Sequence, residues 1–136
     1  MRIAVVDGQG GGIGKSLVEK IKARYKDQVD VIALGTNAVA TSLMIRGGAD
    51  DGASGENAII VNAKKVDLIV GAVGIISANS MLGELTPAMA KAISESPAKK
   101  ILIPLNRCNL MVTGVANATL PEHIEEVVRQ IQLEMK

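Results

Sequence analysis

The run Asp7 to Ser16, DGQGGGIGKS, constrains this chain more than any other stretch, because five glycines in seven residues stand between an apolar strand and an amphipathic helix. Ile3, Ala4, Val5 and Val6 read as a short buried strand, and Ile13, Leu17, Val18, Ile21 and Tyr25 recur at helical spacing. Glycine at such a join permits φ > 0 and lets backbone N–H groups approach an anion with no Cβ in the way. The helix N-terminus adds partial positive charge. The turn therefore predicts a phosphate cradle for a small-molecule nucleotide, with backbone from Gly8, Gly10, Gly11, Gly12, Ile13 and Gly14 and a charge from Lys15. A tight glycine turn that binds nothing is the alternative.

Two nucleotide-binding patterns overlap here. Gly8 followed by Gly12-Ile13-Gly14 resembles the GxxxGIG turn of short-chain dehydrogenases, a variant of the dinucleotide fingerprint. Only the glycine spacing is shared: the tyrosine of that active site precedes a lysine by four residues, whereas the single tyrosine here, Tyr25, is followed at that spacing by Val29. The second strand ends in Gly35-Thr36-Asn37, with no acidic residue for the ribose of NAD. Thr36 or Asn37 is a candidate ribose contact, although for Asn37 the cap of a helix starting at Ala38 is the preferred reading. The run Gln9 to Ser16 also looks like the deviant Walker A loop of partition-type ATPases, with Gly10 in place of the early lysine. Lys15 and Ser16 stand where a phosphate lysine and a magnesium hydroxyl belong, but the second-strand carboxylate at the end of an apolar run that magnesium chemistry wants is missing. Asp67 begins its strand instead, so ATP hydrolysis is not expected, while NTP binding stays open.

With 136 residues the chain is read as one domain, residues 1–136. Lys and Arg number 15 against 14 Asp and Glu, and this net charge of +1 draws in neither nucleic acid nor anionic membrane. Phe and Trp are absent, which argues against base stacking. The longest apolar run, Leu68 to Ala78, is about half of what a membrane helix needs. A strand beginning at Arg2 leaves no signal peptide, and the single cysteine, Cys108, suits a reducing compartment, so a cytoplasmic location is expected.

Strands are expected at about 2–7, 29–35, 67–71, 100–105 and 110–115, and helices at about 13–26, 38–46, 56–65, 87–95 and 120–134. Gly47-Gly48 stops the second helix, Thr86-Pro87 starts the fourth, and Thr119 with Glu122 forms a capping box for the last. The alternation predicts a three-layer, Rossmann-like α/β fold with a mostly parallel five-stranded sheet. Only Asn106 to Asn109 separates the last two strands, too few residues for a parallel crossover, which predicts an antiparallel edge hairpin.

In such a sheet the ligand crevice lies beyond the carboxyl ends of the strands, where strand order reverses. Thr36, Asn37, Gly71, Gly74 and Asn106 are then expected on one rim with the glycine loop, and Asn79 and Ser80 beside it. Gly47 to Asn57 reads as a polar lid or an exposed connection, with Glu56 facing the crevice or favouring its helix start. Asp7 holds either a ligand or, preferably, the N–H groups of its own turn. No catalytic residue is nominated: His123, the single histidine, lies far from the rim, and Cys108 lacks a histidine partner. No metal-ligand spacing occurs.

Through DGQGGGIGK, ALGTNAVATS, SGENAIIVNAKKVDLIVG, ANSMLGE and IPLNRCN the chain resembles, end to end, a family of short bacterial proteins known as a domain of unknown function. That resemblance implies a Rossmann-like fold and no particular reaction. The expected ligand is an adenine nucleotide or NAD(P), in a sensor or regulatory subunit, with a dinucleotide-dependent enzyme and a P-loop-like NTP binder as the other classes. A hydrophobic content of 48%, a mean hydropathy of +0.28 and the stripe Ile124, Val127, Val128, Ile131 and Met135 further suggest a homodimer, unless the stripe covers the sheet.

Overall fold

The computed structural model describes residues 1–105, 109–115 and 117–135. Strand β1 (Arg2–Asp7) is buried from Ile3 onward, and its alternate side chains feed two separate cores. Ile3 and Val5 pack with α1 (Gly12–Tyr25) and α5 (Leu120–Glu134) on one face, together with Met44 of α2 (Ala38–Arg46). Ala4 and Val6 pack on the other with Ile59 of α3 (Glu56–Asn62) and Met89 and Ile93 of α4 (Pro87–Glu95). The period of two along β1 thus becomes a three-layer sandwich.

The sheet has five strands, β1, β2 (Asp30–Gly35), β3 (Asp51–Ser54), β4 (Leu68–Ala72) and β5 (Lys99–Ile103), in the order β3-β2-β1-β4-β5. Every pairing is parallel. Strand order therefore reverses between β1 and β4, whose carboxyl ends open on the glycine loop. The caps expected from sequence form: Asn37 Oδ1 accepts the Ala40 N–H at 2.8 Å, Thr86 Oγ1 the Met89 N–H at 3.2 Å, and Thr119 and Glu122 bond reciprocally.

Two expectations are corrected. The antiparallel edge hairpin does not form, because residues 110–115 are not a strand. Met111 is 79% exposed, so strand pairing here would not be rewarded by burial, and Gly114 at φ +79° is outside strand geometry. Asn106, Arg107 and Cys108, which were to form the hairpin turn, lie outside the described residues. The fifth strand is instead β3, inside the stretch 47–57 read as a lid or connection. Its sequence DGAS has no apolar alternation because it is an edge strand, held by backbone pairing of Asp51–Ser54 with Ile32–Gly35.

The stripe of α5 also finds its place. Ile124, Val127, Val128 and Ile131 are buried in the core, and Met135 packs against it, so this stripe is not a free dimer face. No helix among the described residues is long and apolar enough to cross a membrane.

Candidate functional site

Asp7 closes β1 and organises the turn that follows. Asp7 is 8% exposed, and its two side-chain oxygens accept the N–H groups of Gly8 at 2.8 Å and Gly14 at 2.7 Å. Among the described residues Asp7 thus displays the turn role. The Gly11 N–H donates to the Gly8 carbonyl at 3.0 Å, and the Lys15 N–H to the Gly11 carbonyl at 2.9 Å, which starts α1. Gly11 itself caps the helix at φ +76°.

The five glycines fall into two kinds. A Cβ on Gly11 would stand 2.7 Å from Ala40 Cα, and one on Gly14 2.5 Å from Met44 Sδ and 2.8 Å from Asp7 Cβ, so α2 packs directly onto the loop. A Cβ on Gly8 would lie 2.6 Å from both Met81 Sδ and Thr36 Oγ1. These three positions are set by packing. Gly10 and Gly12 differ, since a Cβ on either meets nothing within 4 Å and neither has a left-handed φ. Both are exposed. Among the described residues, the N–H groups of Gly10, Gly12 and Ile13 have no acceptor, whereas Gly8, Gln9, Gly11 and Gly14 all donate.

The Gln9 N–H is taken by Glu84, from the segment between β4 and α4. Oε1 of Glu84 accepts the Gln9 N–H at 2.8 Å, the Thr36 hydroxyl at 2.7 Å and the Asn37 amide at 2.8 Å. Chiefly the Gln9 N–H, then the Thr36 hydroxyl, hold the Glu84 carboxyl below its ordinary range against the opposing effect of burial, and the Asn37 amide adds a smaller lowering contribution. The Asn37 amide also donates to the Gln9 carbonyl at 3.1 Å. Sequence reading placed Thr36 and Asn37 at the loop but missed Glu84, for no local pattern links residues separated by 75 positions.

A cavity of about 530 Å³ opens at the carboxyl ends of β1 and β4, lined at the glycine loop by Asp7, Gln9 and Ile13 and opposite by Ala72, Gly74 and residues 77–82. Leu105 and Asn109 also line it. The structure thus brings Gly74 and Asn79 to the loop, as expected. Asn79 stands at φ +66°, a conformation asparagine tolerates well, and Ser80 donates to the Gly74 carbonyl at 2.6 Å rather than facing a ligand. Gly71 is buried in β4, where a Cβ would meet the Val6 carbonyl at 2.7 Å, so it serves sheet packing. Thr36 and Asn37 do not line the cavity. Lys15 does not either; its stem lies beside Gly47, where a Cβ would come 3.2 Å from Lys15 Cγ. Asn106 lies outside the described residues. Glu56 accepts the Thr86 hydroxyl at 2.6 Å, tying the starts of α3 and α4 together.

A larger cleft, about 960 Å³, runs between α1 and α5, beside Lys20, Arg24, Glu125 and Arg129. It lies away from the strand ends, and its mixed charges lack the convergent backbone donors of the glycine loop, so the smaller cavity is the better candidate. His123 borders a third cleft, against β5. No group of three or more His, Cys, Asp or Glu that would hold a metal ion occurs among the described residues.

The geometry can be compared with known proteins. The family described as "Domain of unknown function (DUF3842)" matches residues 2–136. The chain belongs to this family. No curated protein matches it in sequence. Among solved structures, an FMN-dependent, dodecameric Ubix-like decarboxylase from Escherichia coli O157:H7 is similar over 98% of this chain and 94% of its own, at 13% identity and a TM-score of 0.50. A universal stress protein in complex with cAMP is similar over 74% of this chain and 94% of its own, at 20% identity and a TM-score of 0.42. At 13% identity the likeness to the decarboxylase bears on fold alone. The DUF3842 chain shares the α/β, Rossmann-like architecture.

Proposed function

We propose that this DUF3842 chain binds a phosphate-bearing nucleotide in the crevice between β1 and β4. The phosphate sits on the N–H groups of Gly10, Gly12 and Ile13, and the rest of the ligand enters the adjoining cavity. The observation that carries this reading is the pair Gly10 and Gly12, two glycines that neither packing nor backbone conformation requires, beside three donors with no acceptor among the described residues. A cradle kept clear of Cβ atoms at the start of a 14-residue helix suits an anion. Three donors suit one phosphate group. Asp7 and Glu84 already occupy the N–H groups of Gly8, Gln9 and Gly14, which takes those donors from a triphosphate wrapped by the whole loop.

The role proposed is that of a sensor or regulatory subunit. Among the described residues the cavity lining has no histidine, cysteine or lysine, and its one carboxylate, Asp7, is engaged in the turn. In this reading the ligand is an adenine nucleotide or NAD(P), Asn79 contacts it at the rim, and Lys15 adds charge from a distance. A thermal-shift panel of AMP, ADP, ATP, NAD, NADP and FAD, with and without magnesium, tests it. At least one adenine nucleotide at 100 times its Kd is expected to add about 2.7 kcal/mol, raising the melting temperature by several degrees. No shift from any of them at millimolar concentration would leave the loop as architecture. Strong tightening by Mg²⁺ would instead favour the NTP-binding reading.

A cytoplasmic homodimer is part of the proposal. With the α5 stripe in the core, its support is the exposure of Val39 at 68%, Leu82 at 97% and Met111 at 79%. Light scattering is expected to give twice the 14.1 kDa chain mass at micromolar concentration; a monomer throughout that range would remove it.

A further inference from the structure

In a sheet of this order a dinucleotide straddles the glycine loop, one half beyond β4 and the other over the end of β2. The two sides of this loop are unlike. On the β4 side lies the open cavity. On the β2 side the space over Gly8 is filled: Met81 Sδ and Glu84 Oε1 would lie 2.6 and 3.2 Å from a Cβ placed there. The groups that would read a ribose at the end of β2 are consumed, because the Thr36 hydroxyl and the Asn37 amide both donate to Glu84. Glu84 also takes the Gln9 N–H of the loop.

The segment carrying Met81 and Glu84 is held in place at several points. The Asn79 N–H donates to the Leu85 carbonyl at 2.7 Å, and Ser80 bonds the Gly74 carbonyl. Leu85 is fully buried against the α4 face. A second phosphate directed toward β2 would therefore meet a fixed carboxylate and a sulfur atom rather than free donors.

We infer that Glu84, with Met81, is a specificity-determining residue that closes the β2 half of the site, so that the crevice takes a mononucleotide and rejects dinucleotides. This rests on the nucleotide-binding reading above and names its ligand class. A phosphate on Gly10, Gly12 and Ile13 has its nucleoside on the β4 side, and Glu84 repels the phosphate that a dinucleotide would add on the other.

The test compares dinucleotides with their own halves. AMP, FMN and NMN, and then NAD and FAD, are titrated into the wild-type protein and into Glu84→Ala and Met81→Ala, each shown by circular dichroism to be folded. In the wild type at least one half is expected to bind ten times more tightly than the dinucleotide containing it. In Glu84→Ala or Met81→Ala that ratio is expected to fall below about three, through a gain in dinucleotide affinity. Wild-type protein that binds NAD or FAD as tightly as either half overturns the inference and leaves the crevice a nucleotide site. So does a ratio unchanged in both folded variants. If none of the five compounds binds any of the proteins, the nucleotide reading falls and this inference falls with it.

Discussion

Gly12→Val is expected to fold as the wild type does and to bind nucleotide at least ten times more weakly, a loss of about 1.4 kcal/mol or more. Gly12 is the first residue of α1, is exposed, lacks a left-handed φ, and has nothing within 4 Å of where a Cβ would stand. Nothing in the fold resists the substitution. In an exposed first helical turn valine costs no more than a few tenths of a kcal/mol relative to better helix formers, and glycine is poorer still. The same empty space is where the proposed phosphate approaches the Gly12 and Ile13 N–H groups, so the isopropyl group displaces the anion and not a neighbour. Lys15→Ala is the control. Its stem packs beside Gly47 rather than in the cavity, so its removal is expected to weaken binding about twofold. Isothermal titration on folded variants reads both. Equal affinity in wild type and Gly12→Val would place any ligand elsewhere and make the loop architectural.

What could be read from sequence was local. The strand-to-helix join is visible because the apolar run of β1 and the helical spacing of α1 lie within one stretch of chain, and Asp7, Asn37, Thr86 and Thr119 act on backbone groups at most seven residues away. What escaped depends on neighbours distant in sequence. β3 reads as a polar connection because an edge strand is held by backbone pairing and needs little apolar side chain. The run 110–115 reads as a strand because its residues favour one, yet Met111, Val112 and Val115 stand exposed. Glu84 was quoted within ANSMLGE and given no role, since its partners Gln9, Thr36 and Asn37 come from two other crossings of the sheet edge. The glycine motif itself could not be sorted from spacing. Which glycines face α2 and which face open space becomes apparent only once Ala40 and Met44 stand against the loop.

That sorting makes the neighbouring position behave in the opposite way. Gly11→Val is expected to destabilise the fold by about 3 kcal/mol or more, a large share of the roughly 5–15 kcal/mol that holds a domain of this kind together. Two costs combine. At φ +76° Gly11 occupies the left-handed region, where an L residue pays roughly 1–2 kcal/mol and a β-branched one more. Its Cβ would also stand 2.7 Å from Ala40 Cα and 3.0 Å from the Ala40 carbonyl oxygen. These are backbone atoms of α2, which is fixed by Met44 in the core and by the Asn37 cap, so relief requires a helix to move rather than a side chain to rotate. Overpacking of this sort costs roughly 1–3 kcal/mol. Urea denaturation of wild type, Gly11→Val and Gly12→Val measures the contrast: Gly11→Val should unfold at a much lower midpoint with an unchanged slope, while Gly12→Val stays near wild type. Stabilities of the two variants within about 0.5 kcal/mol of each other would contradict the division of the loop into packed and open glycines.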